Sequence, residues 1–225
     1  EEIETGEVYT YSIQADGTSD LMVSVTWLDP PGNILPVGIE DNPTPSLMND
    51  LDLRVSQDGG ATFMPWKLDV ANFSAAATTG DNLVDNIEKI EIVGASGEYI
   101  IQVSHKGAAL INGVQAFSLV LTGISNEQFT ISSHQGILES CAALASTDFN
   151  VDLGFSDGFS DVIDFTVSDL PAGTSGSFSA SSLNAEETTV LTVDGLESLS
   201  SGDYPFMVRG TGSNETINLY LVLSI

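Results

Sequence analysis

Asp50 and Asp52 alternate with Leu51 and Leu53 in the run Asn49-Asp50-Leu51-Asp52-Leu53-Arg54-Val55. In an extended chain this period of two sends the leucines to one face and both carboxylates to the other. Like charges so close repel unless something positive sits beside them. Calcium would answer that need if carbonyl, amide and water oxygens completed its shell, and Asn49, Asp29 and Asp85 are the further oxygen donors the pattern offers. Arg54 is the competing answer, because it shares a strand face with Asp52 and can neutralise it while Asp50 stays in water. The sequence leaves both readings open.

Other chemistry is sparse. A serine-histidine-aspartate triad needs its three groups in hydrogen-bonding reach, and the chain has only His105 and His134, neither with a recognisable nucleophile or base. Gly173-Thr174-Ser175-Gly176 mimics a catalytic-serine motif, but its surroundings predict a turn between strands with no helix after it. Trp27 shares a face with Leu21, Val23 and Val25 and is expected in the core. Trp66, between Pro65 and Lys67, is the candidate substrate-binding aromatic, a flat ring on which an extended protein or glycan could stack. Asp157-Gly158-Phe159-Ser160-Asp161 and Asp16-Gly17-Thr18-Ser19-Asp20 read as hairpin turns. Asn72-Phe73-Ser74 and Asn214-Glu215-Thr216 fit the glycosylation pattern, which is short enough to arise by chance.

Composition narrows the class. With 225 residues, 42% of them hydrophobic and 16% charged, the chain is too apolar for a disordered acidic tail and long enough for one or two cores. Five Lys and Arg stand against 32 Asp and Glu, a net charge of -27, which repels nucleic-acid phosphates and anionic lipid alike. No nucleic-acid partner is expected, and no apolar run suggests a membrane span. Cys141 is the only cysteine, so no intrachain disulfide forms, and its thiol is expected in the core. The acidic start, where a secretion leader would be basic, is expected of a mature segment or of a piece excised from something longer.

Alternation dominates from end to end and predicts an all-β chain of two β-sandwich domains in tandem. Tyr9, Tyr11 and Ile13 share a face, as do Leu21, Val23, Val25 and Trp27, then Tyr99, Ile101 and Val103, then Phe117, Leu119 and Leu121. Asp16-Gly17, Asp58-Gly59-Gly60 and Ala95-Ser96-Gly97 supply reversals. The polar connector Thr122 to Glu127 breaks the pattern and sets domains of 1–124 and 125–225. In the second, Phe149, Val151 and Leu153, then Ile163, Phe165 and Val167, then Ile217, Leu219, Leu221 and Leu223 repeat the alternation.

Val23-Ser24-Val25-Thr26-Trp27-Leu28-Asp29-Pro30-Pro31-Gly32, a long loop carrying Pro36, Pro43 and Pro45, and Leu47-Met48-Asn49-Asp50-Leu51-Asp52-Leu53-Arg54-Val55 follow one another in order. Asn82-Leu83-Val84-Asp85-Asn86-Ile87, Gly97 to Val103 and Gln115 to Leu121 come after them. This series resembles the jelly-roll, P-domain-like sandwich that follows the catalytic domain in secreted bacterial subtilisin-like serine proteases, with a longer loop here. Val167 to Thr174 and Ser177-Phe178-Ser179 resemble an immunoglobulin-like module of secreted bacterial proteases and adhesins. The resemblance implies a secreted or cell-surface accessory region with structural calcium, partnered by a protease domain of the same polypeptide. The alternative is an adhesion or substrate-recognition module of another secreted protein, such as a metalloprotease, holding insoluble protein or glycan.

Overall fold

A computed structural model describes the chain except residues 33, 35–43, 58–61, 73, 126, 142–143 and 157. The expected Asp58-Gly59-Gly60 turn, Pro36 and Pro43 of the long loop, and Phe73, Asn126 and Asp157 therefore lie outside the described residues. The fold is all-β and sandwich-type, as the alternation predicts. Its described residues hold nineteen strands and one three-residue 3₁₀ turn, Leu196–Ser198. No helix among them is long and apolar enough to cross a membrane. The chain divides into two compact units, the first of residues 1–6, 15–97 and 102–124, the second of residues 7–14, 98–101 and 125–225.

In chain order the first ten strands are β1 (Glu2–Glu4), β2 (Val8–Asp16), β3 (Leu21–Trp27), β4 (Leu51–Ser56), β5 (Thr62–Phe63), β6 (Trp66–Lys67), β7 (Thr78–Thr79), β8 (Ile87–Ile92), β9 (Ser96–His105) and β10 (Val114–Thr122). Within the first unit, β1, β10, β3 and β8 form a four-stranded sheet in that order, and β4 lies between β9 and the short β5. Antiparallel register sets Trp27 against Phe117, Val25 against Leu119 and Val23 against Leu121. Leu21, Val23, Val25, Leu51, Leu53 and Val55 are fully buried, with Trp27, Ile90 and Ile92 beside them in the buried set. Leu119 and Leu121 are only half-buried, so the far end of β10 contributes less core than its alternation suggests. Asp16 holds its reversal by accepting the N–H groups of Thr18 and Ser19, each at 2.7 Å, and Gly17 supplies the positive φ of 70°.

The remaining strands are β11 (Phe129–Ser133), β12 (Ile137–Glu139), β13 (Ser146–Phe155), β14 (Ile163–Ser168), β15 (Ser175–Phe178), β16 (Ser182–Leu183), β17 (Thr188–Asp194), β18 (Asp203–Thr211) and β19 (Thr216–Ser224). In the second unit, β15, β17, β13 and β11 are consecutive neighbours, and β12, β19, β18, β14 and β16 form a second sheet. Register brings Phe149 against Leu191 in one sheet and Phe206 against Leu221 in the other. The Phe149 and Phe206 rings then meet edge to face across the core, centroids 5.0 Å apart, a favoured geometry for their quadrupoles. Thr174 turns into β15, its N–H and hydroxyl both donating to the Pro171 carbonyl. The Gly-Thr-Ser-Gly run is thus a turn leading into a strand.

Two sequence expectations are corrected here. Tyr11 is half-buried, and the buried partners along β2 include Thr10 and Ser12 from the opposite face. Gly136 accommodates this, since a Cβ there would fall 1.7 Å from Thr10 Oγ1. Cys141 is exposed. It lies in the turn after β12, where its carbonyl accepts the Leu144 N–H, so no alternating strand face carries its thiol inward.

Phe149→Ala is expected to remove an aromatic core pair and lower the stability of the second unit by about 3–5 kcal/mol. Chemical denaturation followed by fluorescence checks it, and a loss under about 1 kcal/mol would show that this core collapses around the gap.

Candidate functional site

β4 is pinned by three inward residues, Leu51, Leu53 and Val55, all fully buried. On its opposite face Asp52 is only 6% exposed. Charged neighbours cover it. Arg54 Nη2 lies 2.7 Å from Asp52 Oδ1 and 3.0 Å from Asp81 Oδ1, and its Nη1 donates to the Leu53 carbonyl. Lys106 Nζ contacts Asp81 at 2.5 Å, Asp52 at 3.1 Å and Asp50 at 3.7 Å. The Lys106 N–H also donates to the Asp50 carbonyl, which anchors the residue that follows β9 beside the start of β4.

Burial raises the Asp50 carboxyl above its ordinary range, with Lys106 opposing. Asp81 is held low by its hydrogen bond from Lys106. Burial would lower the Lys106 ammonium, but hydrogen bonds to Asp81 and Asp52 overcome it and hold the proton on more tightly. Burial lowers the His105 imidazole, against the pull of Asp52, and His105 Nδ1 accepts the Gly107 N–H.

Asp29 and Asn49 belong to a different assembly. Asp29 accepts the Met48 and Asn49 N–H groups, one on each carboxylate oxygen, at 2.8 Å. Asn49 is fully buried; its Oδ1 accepts the Ile111 N–H and its Nδ2 donates to Gln115 Oε1. The Trp27 indole N–H donates to the Asn49 carbonyl at 3.0 Å, and Gln115 Nε2 donates to the Leu28 and Ala116 carbonyls. Together these bonds tie the end of β3 to the entry of β4, the two ends of the proline-rich loop. Asp85 sits in the turn before β8, where Asn82 Oδ1 accepts the Val84 and Asp85 N–H groups.

The structure therefore brings Asp50 and Asp52 together at Lys106, joins Asn49 to Asp29 in a backbone latch, and places Asp85 outside the ion pairs around Arg54 and Lys106. Among the described residues, no group of three or more His, Cys, Asp or Glu side chains is arranged to hold a metal. Asp29 and Asn49 already accept backbone N–H groups and Asp52 accepts from Arg54, whereas Asp50 Oδ1 is buried with no hydrogen-bond partner. Trp66 pairs with Thr79 in the β6–β7 ribbon and is 40% exposed, with exposed Leu68 and Val70 after it.

Sequence reading missed Asp81, Lys106 and Glu88. Glu88 was recoverable: in Ile87-Glu88-Lys89-Ile90-Glu91-Ile92 the period of two puts it on the same face as Ile90 and Ile92, and all three are buried. Asp81 and Lys106 carried no local signal, since 29 and 54 residues of chain separate them from Asp52.

No family model matches the chain, and no curated protein matches it. Among solved structures, the Vibrio cholerae VesB protease is similar at a TM-score of 0.35 and 10% identity, over 95% of this chain and 99% of that one. A score that low decides nothing about activity.

Asn49→Ala is expected to orphan the Ile111 N–H and the Gln115 side-chain oxygen and to cost about 1–3 kcal/mol for each group left unpaired. The melting midpoint should fall in calcium and in excess chelator alike, with wild-type melting indifferent to the choice. A calcium-dependent rise in the wild type would show that the oxygens regroup around a metal.

Proposed function

We propose that this chain is the non-catalytic accessory region of a secreted bacterial subtilisin-like serine protease, a jelly-roll-like sandwich followed by an immunoglobulin-like one near residue 125. Its partner is the catalytic domain of the same polypeptide, which it stabilises and helps to bring to substrate. The observation that carries the reading is the interlocking of the motif residues themselves. Trp27 and Asp29 from the Thr-Trp-Leu-Asp strand end bond directly to Asn49, which opens the Asn-Asp-Leu-Asp-Leu strand. Residue types that look like a family signature thus have a shared physical reason to occur together.

The two histidines favour a supporting role. His105 spends Nδ1 on a backbone amide, and His134 packs edge-on against Tyr9 with Glu7 3.8 Å from its Nδ1. Calcium belongs to this reading as a proposal only, since Arg54 and Lys106 supply positive charge at the acidic strand.

A parent protease with and without residues 1–225 should differ in thermal-inactivation half-life, the shorter form losing activity several-fold faster. Equal half-lives, or peptide hydrolysis by the isolated chain, would overturn the proposal. Exposure of Trp66 with Leu68 and Val70 favours the second reading, recognition of insoluble protein or glycan. On that reading, retention on gelatin or polysaccharide beads disappears in Trp66→Ala, and an unchanged retention rules this aromatic out.

A further inference from the structure

β8 places a carboxyl where alternation reserves space for core. Glu88 is 1% exposed, flanked on its face by buried Ile90. Its Oε2 accepts the Leu53 N–H of β4. That amide needs a partner because β5 pairs only with Val55 and Ser56, and a buried N–H left unpaired is costly. The other oxygen, Oε1, is buried without any hydrogen-bond partner.

An ionised carboxylate is poorly served in this position. Arg54 Nη1 stands 3.9 Å from Oε2, beyond hydrogen-bond distance, and the guanidinium is committed to Leu53, Asp52 and Asp81. Lys106 is likewise committed to Asp81 and Asp52. The charged groups that act on Glu88 are Asp52, Arg54 and Asp50, on and before β4; Asp81 before β8 and Lys106 after β9 complete the ion-pair cluster around Arg54 and Asp52, and His105 at the end of β9 acts through Asp52. Ionising Glu88 sets four carboxylates against two cations around one strand.

We propose that Glu88 is a proton-operated clasp between β8 and β4: as a neutral acid it closes onto the Leu53 amide, and as a carboxylate it forces the two strands apart. The neutral form keeps the accepted Leu53 bond on one oxygen and replaces a bare charge with a hydroxyl on the other. Burial pushes this carboxyl up to about 8, with Asp52 and Asp50 adding to the rise and the Leu53 N–H and Arg54 opposing it.

The sign follows from linkage. Unfolded, Glu88 would titrate near its ordinary 4.5; folded, it keeps its proton to about 8. The folded state binds more protons across that window, so the clasp is at full strength below the unfolded value and weakens as pH rises through the folded one. The first unit tightens in acid and loosens in alkali.

Hydrogen exchange of a peptide spanning Leu51–Ser56 in the 225-residue chain tests this directly. After correction for intrinsic rates, wild-type protection should fall by up to about tenfold per pH unit between roughly pH 5 and 8, then level off. Glu88→Gln keeps an acceptor for Leu53 and cannot ionise, so its protection should stay flat across the window. Glu127, a second carboxyl that burial raises, to about 7, supplies the control, and Glu127→Gln should leave the slope at Leu53 unchanged. A Glu88→Gln slope equal to wild type, or a slope abolished by Glu127→Gln, overturns the clasp. If Glu88→Gln does not fold, carboxyl ¹³C titration of the wild type decides. A Glu88 resonance moving near pH 8 supports the proposal, and one moving near pH 4.5 defeats it.

Discussion

A strand that must bury one face in apolar core and carry charge on the other can hold its place only if the charge is neutralised from within. β4 meets that constraint with Arg54 and Lys106, two of the five basic residues in the whole chain. Desolvation of Asp52 costs more than solvent can return, and the pair repays it only by good geometry. The lysine does so from the residue that follows β9, whose backbone N–H donates to the Asp50 carbonyl. The Asp29–Asn49 latch works nearby by a different route, pairing a half-buried carboxylate and a buried amide with backbone N–H groups and enlisting no basic side chain.

The second unit solves the same problem without charge. Its two sheets meet through Phe149, Phe206, Phe165 and a run of leucines and valines, and the acidic residues of β13 stay on the outer face, where Asp148 and Asp152 accept hydroxyls from Thr192 and Thr188. Cross-strand Thr–Asp pairs of this kind give modest stabilisation each. The contrast lies between the sheets: charge is buried against β4 in the first unit, whereas the second unit's two sheets meet through apolar side chains and its raised carboxyl, Glu127, accepts the Gln14 N–H of β2.

Strand class was legible because alternation is a local signal: Leu51, Leu53 and Val55, or Ile217 to Leu223, declare their inward face within a few residues. The site was only partly legible. Asp50 and Asp52 stood out by spacing, but what neutralises them depends on Lys106, which only folding brings near. Asn49 and Asp29 were legible as oxygen donors and not as a latch, because an oxygen's partner cannot be read from its neighbours in sequence. Glu88 was hidden by a habit of reading, since a charged residue in a strand is assigned to water even where the period of two says otherwise. Cys141 shows the reverse error: a small apolar residue type was assigned to the core although its turn holds it outside.

The scarcity of basic residues has a consequence for survival among other enzymes. An endopeptidase that cuts after lysine or arginine finds five bonds in the entire chain. Three of them lie inside strands, after Arg54, Lys89 and Arg209; one follows Lys67 at the end of β6, and the fifth follows Lys106, whose amide is bonded to Asp50. Cleavage needs an extended segment freed from its sheet, so trypsin-like digestion of this protein is rationed by local opening, and sites of attack become a readout of which strand lets go first.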